Sequence, residues 1–357
     1  MNILSIIRRK RVEQRLVKGV KNNYLKLSST RSLTPAQEKE IKQYWHDLLG
    51  IDIPLDWHRY FYRRTGVYSV KYIPTSLYYT DIIGRVNQMQ LEKAYSDKNI
   101  TELLLKGVKL PETLLRNMNG YFFSNGQQLN KEQAVDLCRN LNDVVIKPSM
   151  CSHGDGVQKF SCSNGVTTID GKTIDRLFDE YQTNFMVQKA VVQHERMSAL
   201  NPTSVNTLRI LTYHSGGEVL VPYSVIRIGR MGWDIDNETA GGISTKINSN
   251  GELSKYAYGA PGCDMIETTD TGVVLEGYQV PSYGKAVDLV KQLHLQLPHF
   301  DLIGWDICID KEGEPVLIEW NVWPELSQSA NGPAFGDYTE RILKEIWCRP
   351  NTHSYEF

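Results

Sequence analysis

Apolar and polar positions alternate differently along the chain, and the change divides it into a helical first third and a strand-rich remainder. Ile3 and Ile7, then Val12, Leu16 and Val20, recur at helical spacing and predict an amphipathic helix over 1–30. LTPAQEKEIKQYWHDLLG predicts a second helix: Thr34 can cap it, Pro35 suits the first turn, Gln37 completes a capping box and Gly50 stops it. Residues 51–95 are rich in Tyr, Trp and Arg, with an apolar run near Tyr79 to Ile83, and read as part of a mixed, mostly helical lobe over 31–95. Asn130 opens the helix KEQAVDLCRNL, which leads into the strand DVVIKP.

Beyond that point strands and glycine turns dominate. FMVQKAVV begins an apolar strand at Phe185, and NTLRILTYHSGGEVLVPYSVIRIG is a long hairpin split at Ser-Gly-Gly. TKINSNGELSKYAYG predicts another hairpin turning at Asn250-Gly251, and LIGWDICIDKEGEPVLIEWNV a third turning at Glu312-Gly313. The helices YGKAVDLVKQLHLQL and GDYTERILKEIW accompany them. Long hairpins with helices packed against them imply an α+β arrangement of lobes.

Composition narrows this picture. A chain of 357 residues suggests two or three lobes. Hydrophobic residues at 41% and charged residues at 23% fit a soluble globular protein, and 40 basic against 41 acidic residues exert no global pull toward nucleic acid. No apolar run approaches the ~18 residues of a membrane span. ILSII is too short for a secretory leader and precedes its charges. Six scattered cysteines without C-x-x-C spacing argue against zinc or a disulfide framework and fit the cytoplasm. Charge is uneven, however: residues 1–27 hold eight basic residues against the single acid Glu13. That segment reads either as a peripheral contact with the anionic inner face of a membrane or as a solvated helix packing one stripe on the body.

Two stretches carry candidate chemistry. In VVIKPSMCSHGDGV, Lys147 stands near a strand end before a Ser/Gly-rich turn and a second strand, GVQKF. Lysine supplies a point charge for a phosphate, and the turn can present backbone N–H groups to the same anion. No Walker or dinucleotide-binding glycine motif occurs, so on its own this reads first as a plain hairpin. In GWDICIDKEGEPVLIEWN, side-chain alternation puts Glu319 and Asn321 on one face, with Asp306 roughly opposite on the partner strand. Two carboxylates and an amide make a hard, all-oxygen partial shell suited to Mg²⁺. Two solvated acids on a surface hairpin are the other reading.

The order of strand lysine, glycine loop, MVQKAVV, the arginine of NTLRI and finally D…LIEWN resembles the ATP-grasp superfamily. The separation 319 − 306 = 13 and the E-x-N ending are similar to D-alanine–D-alanine ligase-type members, and AYSDKNITELLLKGVKLPET to the segment that carries their first phosphate-facing lysine, here Lys98. On YSVKYIPTSLYY, NPTSVNTLRI and NETAGGISTKINSNG, the chain is most similar to the sugar-transfer-associated group. The resemblance implies an ATP-grasp fold, with a small lobe over 96–192 and a large lobe over 193–357 clasping ATP. It implies Lys98 and Lys147 at the nucleotide phosphates, with Ser152, His153, Gly154 and Gly156 in a loop closing over them. Gln188, Lys189, Ala190 and Val191 would form the adenine hinge, and Glu195, or His194 in its place, would meet the ribose. Asp306, Glu319 and Asn321 would hold one or two Mg²⁺ ions, or Mn²⁺. Arg209, with Lys147 the other catalytic candidate, would sit beside the transferring phosphoryl group and steady it, a structural salt bridge being its other reading. Arg227 and Arg230 would meet an acceptor carboxylate, and Gly241 and Gly242 would allow close backbone approach. His294 and His299 read as ordinary helix-end residues. The implied activity is an ADP-forming carboxylate–amine ligase working through an acyl phosphate, on a sugar or amino-acid substrate of cell-surface polysaccharide biosynthesis. The other readings are a phosphotransferase and a nucleotide-binding adaptor.

Overall fold

The computed structural model describes residues 3–150, 154–232, 236, 241–263 and 265–351. The first helix, Ile3–Leu25, lays Leu16, Val17, Val20 and Tyr24 against Trp57, Tyr60, Phe61 and Tyr72. Arg9 anchors it to the buried Asp81 at 2.6 Å. Ile6 and Ile7 at its start stay exposed. Among the described residues no helix is long and apolar enough to cross a membrane. The helix Pro35–Leu49 forms with the expected capping box between Thr34 and Gln37, and ends on Gly50 at φ +68°, a left-handed cap that only glycine adopts without strain. The aromatic stretch becomes the helix Asp56–Thr65 and a helical run over 75–86, interrupted by a π turn at Tyr78–Ile82. Such wide turns re-aim side chains and recur at functional sites.

Among the described residues thirteen strands follow in chain order. They are β1 Thr113–Met118, β2 Tyr121–Ser124, β3 Gln127–Leu129, β4 Val144–Pro148, β5 Gln158–Phe160, β6 Cys162–Ser163, β7 Val166–Thr167, β8 Phe185–Lys189, β9 Thr207–Ser215, β10 Glu218–Ile228, β11 Ile243–Ile247, β12 Leu302–Ile309 and β13 Pro315–Asn321. Six make one antiparallel sheet in the order β3-β2-β1-β8-β4-β5, and five make another in the order β11-β10-β9-β12-β13, while β6 and β7 pair by themselves. The Ser-Gly-Gly hairpin joins β9 to β10, and the Glu312-Gly313 turn joins β12 to β13. The hairpin expected at Asn250-Gly251 is one-sided, since the return arm after β11 forms no strand and meets it through the isolated bridges Ile247↔Leu253 and Ser244↔Tyr258 and through Ser254 N–H donating to the Lys246 carbonyl. The helix after Asn130 stops at Leu137 instead of continuing to Leu141, because the chain turns there and the Leu141 carbonyl accepts from Cys162 N–H.

Strand alternation decides what each sheet face does. In the six-stranded sheet Ile146, Phe185 and Val187 point into a core with Leu177 and Phe178 of the helix Ile174–Tyr181. Lys147 and Gln188, one residue out of phase, point the other way. In the five-stranded sheet Leu208, Ile210, Ile303 and Trp305 pack with Val290 and Leu293 of the helix Tyr283–His294. On its opposite face Leu211, Tyr213, Val225 and Leu302 are covered by Ile41, Trp45, Ile73 and Ile82, and by Ile342 and Ile346 of the helix Thr339–Trp347. Further along that same face stand Arg209, Arg227 and Asp306, in phase with Leu211, Val225 and Leu302. One face is therefore core at one end and site floor at the other.

His294 closes its helix but is almost wholly buried, with Nδ1 2.6 Å from Thr212 Oγ1 and Nε2 2.9 Å from the Phe300 carbonyl. His58 is buried likewise against the Val70 carbonyl. Burial pushes both imidazoles down to about 4. An unfolded histidine titrates near 6.5, so between these values the unfolded chain holds more protons and stability rises with pH. The contribution is complete above roughly 6.5 and is lost as pH falls through the window. Urea midpoints measured from pH 7 to pH 4 are expected to fall across it, and His294→Gln should flatten that dependence.

Candidate active site

The site is built on β9, β12 and β13. Asp306 stands opposite Arg209 on one side and Glu319 on the other, and Gly304 stands opposite Asn321. A bulge at Ile318 lets Ile307 pair with Leu317 directly after Asp306 pairs with Glu319. Arg209 Nε donates to Asp306 Oδ1 at 2.6 Å and Nη2 donates to Oδ2 at 2.7 Å, a two-pronged fork between side chains that are almost fully buried. Gly304 leaves the space this fork requires, because a Cβ there would lie 2.7 Å from Pro324 and 3.4 Å from Arg209 Cδ. Arg227 adds a second guanidinium 3.5 Å from Asp306 Oδ1. Burial by itself would raise the Asp306 carboxyl, but Arg209 and Arg227 outweigh it and hold the group below the usual carboxylate range.

The opposite wall comes from the six-stranded sheet. Lys147 sits at the end of β4, 9% exposed, and burial followed by the charge of Lys98 brings its ammonium down to about 8 against the pull of Glu319. Lys98 is far away in sequence but is tied to the same strand end, since its N–H donates to the Ser149 carbonyl and Asp97 caps its short turn through Asn99 N–H. Its ammonium lies 3.2 Å from Glu319 Oε1. Lys147 of one sheet, with Lys98 tied beside its strand end, thus faces the carboxylates of the other sheet across a cavity of about 660 Å³.

Lys98, Lys147, Gly154, Gln188, Lys189, Ala190, Val191, Arg209, Arg227, Asp306, Glu319 and Asn321 all line this cavity. Six candidates do not, among them His194, whose Nδ1 accepts from Arg196 N–H as the cap of the helix Glu195–Leu200. Gly156 packs against Pro148 and gives its carbonyl to the Tyr181 hydroxyl. Glu195 is exposed in the first turn of the helix Glu195–Leu200. The guanidinium of Arg230 is held by Asp270 at 2.6 Å. Gly241 and Gly242 lead into β11 away from the lining. Ser152 and His153 lie outside the described residues.

Other lining residues carried no signal in the sequence. Asp236, from a polar loop without periodicity, accepts from Thr207 N–H at 3.0 Å and from Thr207 Oγ1 at 2.5 Å. Burial raises its carboxyl to about 6 against the pull of Arg227. Val12, Arg15 and Leu16 of the first helix, Tyr79 of the π turn, and Trp323 and Glu325 after β13 also reach the cavity.

Among the described residues no group of three or more His, Cys, Asp or Glu converges as a self-sufficient metal cage. The donors that do meet are two carboxylates from directly paired positions and one amide beside them, facing a cation-rich wall. That set fits Mg²⁺, which takes one or two protein carboxylates and completes its shell with phosphate oxygens and water.

Comparison with known families agrees with this geometry. The model of the sugar-transfer associated ATP-grasp family matches residues 78–343, most of the chain. The chain belongs to that family. Solved ATP-grasp structures similar to it include an L-amino acid ligase from Bacillus licheniformis, at 12% identity and TM-score 0.39 over 75% of this chain and 51% of that one. The D-alanine–D-alanine ligase from Bacillus anthracis is similar at 14% identity and TM-score 0.39 over 71% and 66%. A D-cycloserine synthetase is similar at 14% identity and TM-score 0.41 over 73% of each. The chain spans about half to two thirds of the length of the first two, and likenesses at these scores carry no weight for activity. No curated protein matches the chain.

The Arg209–Asp306 fork makes a stability prediction within this ATP-grasp fold. Arg209→Met strands a buried carboxylate and should cost about 3–5 kcal/mol, read as a lowered urea midpoint. Adding Asp306→Asn should recover part of that loss, because the uncompensated charge is then gone.

Proposed function

We propose that the protein is an ATP-dependent, ADP-forming carboxylate–amine ligase. The observation that carries this reading is the meeting of Lys98 and Lys147 from one side with Asp306 and Glu319 from the other in a single cavity. In it, the triphosphate lies between the two lysines, and its negative charge favours the protonated form of Lys147 that burial opposes. Mg²⁺, or Mn²⁺ on the same oxygens, would be held by Asp306, Glu319 and Asn321 and would neutralise charge on the phosphates. The Arg209 fork holds Asp306 ionised and oriented for that role. The backbone N–H groups of Lys189 and Ala190 already donate to Glu112 and Asp143, so the adenine edge is left to Val191 beside Gln188.

A substrate carboxylate oxygen attacks the γ-phosphorus in line and the bond to the β-bridging oxygen breaks, leaving ADP and an acyl phosphate. An amine then attacks the acyl carbon, phosphate leaves with the C–O electron pair, and the amide forms as the amine loses a proton. Arg209 and Arg227 stand where they can meet negative charge on the reacting oxygens. Glu195, Arg230, Gly241 and Gly242 take no part in this reading. The family description, sugar-transfer associated, supports a role with glycans, and the substrate we propose within that role is a carboxylated sugar or an amino acid of cell-surface polysaccharide assembly.

With pooled carboxylates and amines, ADP release should depend on both substrates and on Mg²⁺, and Glu319→Gln should lower it by about 100-fold or more. Phosphorylation of a hydroxyl acceptor without any amine would instead make the protein a phosphotransferase. Absence of Mg²⁺-dependent turnover, with unchanged nucleotide affinity in Glu319→Gln, would refute catalysis altogether. A second test uses Lys147. If bound phosphates keep its ammonium charged, the complex holds more protons than the free protein above about pH 8. Nucleotide affinity should then fall as pH rises past that value, and calorimetry in buffers of different ionisation enthalpy should show proton uptake that Lys147→Met removes.

A further inference from the structure

The basic N-terminal helix, whose composition left a membrane contact and a helix packed by one stripe on the body as its two readings, packs on the body and also reaches the cavity. Val12, Arg15 and Leu16 follow one another at the spacing that puts side chains on one helix face, and all three line the same cavity as Lys147 and Asp306. The helix is held in this position from several directions. Val17, Val20 and Tyr24 pack on the aromatic cluster around Trp57 and Phe61, and Lys21 lies 3.7 Å from Asp56. Arg9 is paired with Asp81 at 2.6 Å, and Asp81 lies on the π turn that also carries Tyr79. The contact that pins the helix is therefore on the element that presents Tyr79 to the cavity. The Tyr79 ring meets Trp323 at 5.8 Å and 47°. Among the described residues Arg15 enters no ion pair within 4.0 Å, whereas Arg9 and Lys21 each have an acidic partner.

We propose that this helix is one wall of the acceptor pocket, with Arg15 placed to take a carboxylate of an acceptor whose apolar face rests on Val12, Leu16, Tyr79 and Trp323. The inference rests on the ligase reading and deepens it. The lysines and Asp306–Glu319 account for a triphosphate, and the helix adds to the same cavity a different chemistry of rings, aliphatic side chains and a cation. That combination suits a small carboxylate with a ring or alkyl face, which a uronic acid and an amino acid share. A guanidinium on a pinned helix selects for such an anion through its fork of N–H donors.

The test compares wild type with Arg15→Glu, Arg15→Lys and Lys10→Glu, the last carrying the same charge reversal on the opposite side of the helix. Initial rates are measured against ATP, and against glucuronate, galacturonate and a panel of amino acids, with pooled amines present. Arg15→Glu should raise the acceptor KM tenfold or more while the KM for ATP stays within twofold, Arg15→Lys should retain most of the affinity, and Lys10→Glu should change neither. Whether the shift appears with the uronates or with the amino acids identifies which source of carboxylate the wall reads. An acceptor KM for Arg15→Glu equal to that of Lys10→Glu overturns this inference and leaves the ligase reading intact. A wild type that turns over no carboxylate removes the ligase reading and this inference with it.

Discussion

A buried fork of two hydrogen bonds between Arg209 and Asp306 is the constraint on which the rest of the site depends. Taking both charges out of water is costly, so the pair is poor evidence of added stability, but either partner left alone would be worse. The sheet therefore brings them together at directly paired positions of β9 and β12, and Gly304 keeps the space open that the arginine crosses. With Asp306 held ionised, Glu319 on the next strand becomes a second negative charge at close range, and Lys98, tied by its N–H to Ser149 after β4, answers it at 3.2 Å. The electrostatics of the cleft follow from one strand pairing.

That pairing sits on a face with two uses. Leu211, Tyr213, Val225 and Leu302 make it core beneath the N-terminal helices and the helix Thr339–Trp347. One strand period further along, Arg209, Arg227 and Asp306 make it the floor of a cavity. The helices of the first third thus do more than cover apolar surface. They end where the charged residues begin, and their Tyr79, Val12 and Arg15 become walls. The same segment buries the sheet and bounds the space in which the proposed reaction would occur.

Much of this was legible in the chain because it depends on near neighbours. The capping box at Thr34 formed as expected and Asn130 opens its helix with a box of its own, because in each the partner lies three residues away. The facing of Asp306 and Glu319 followed from strand alternation and a short turn. Lys98 was reachable only through a family resemblance, since a backbone hydrogen bond to Ser149 is what carries it to Lys147. Arg230 looked as available as Arg227, and no local pattern separates them. Asp270, distant in sequence, holds the first, while Asp306 keeps the second in the site. Asp236 and Arg15 had no readable signal, because a loop carboxylate and one arginine among many on a basic helix differ from their neighbours only by what lies across the fold.

The sequence by itself determined the local elements, the hairpin register that opposes two carboxylates, and membership of the sugar-transfer associated ATP-grasp family. Those are short-range or order-dependent properties, set by side-chain period, turn chemistry and the succession of motifs. Only the tertiary structure decided which charges share a cavity and which are spent elsewhere, and that the N-terminal helix belongs to the cleft. The physical reason is that charge pairing and enclosure depend on distance in space. Two lobes and a helix from opposite ends of the chain must pack before Arg209, Lys98, Glu319 and Arg15 have any relation to one another.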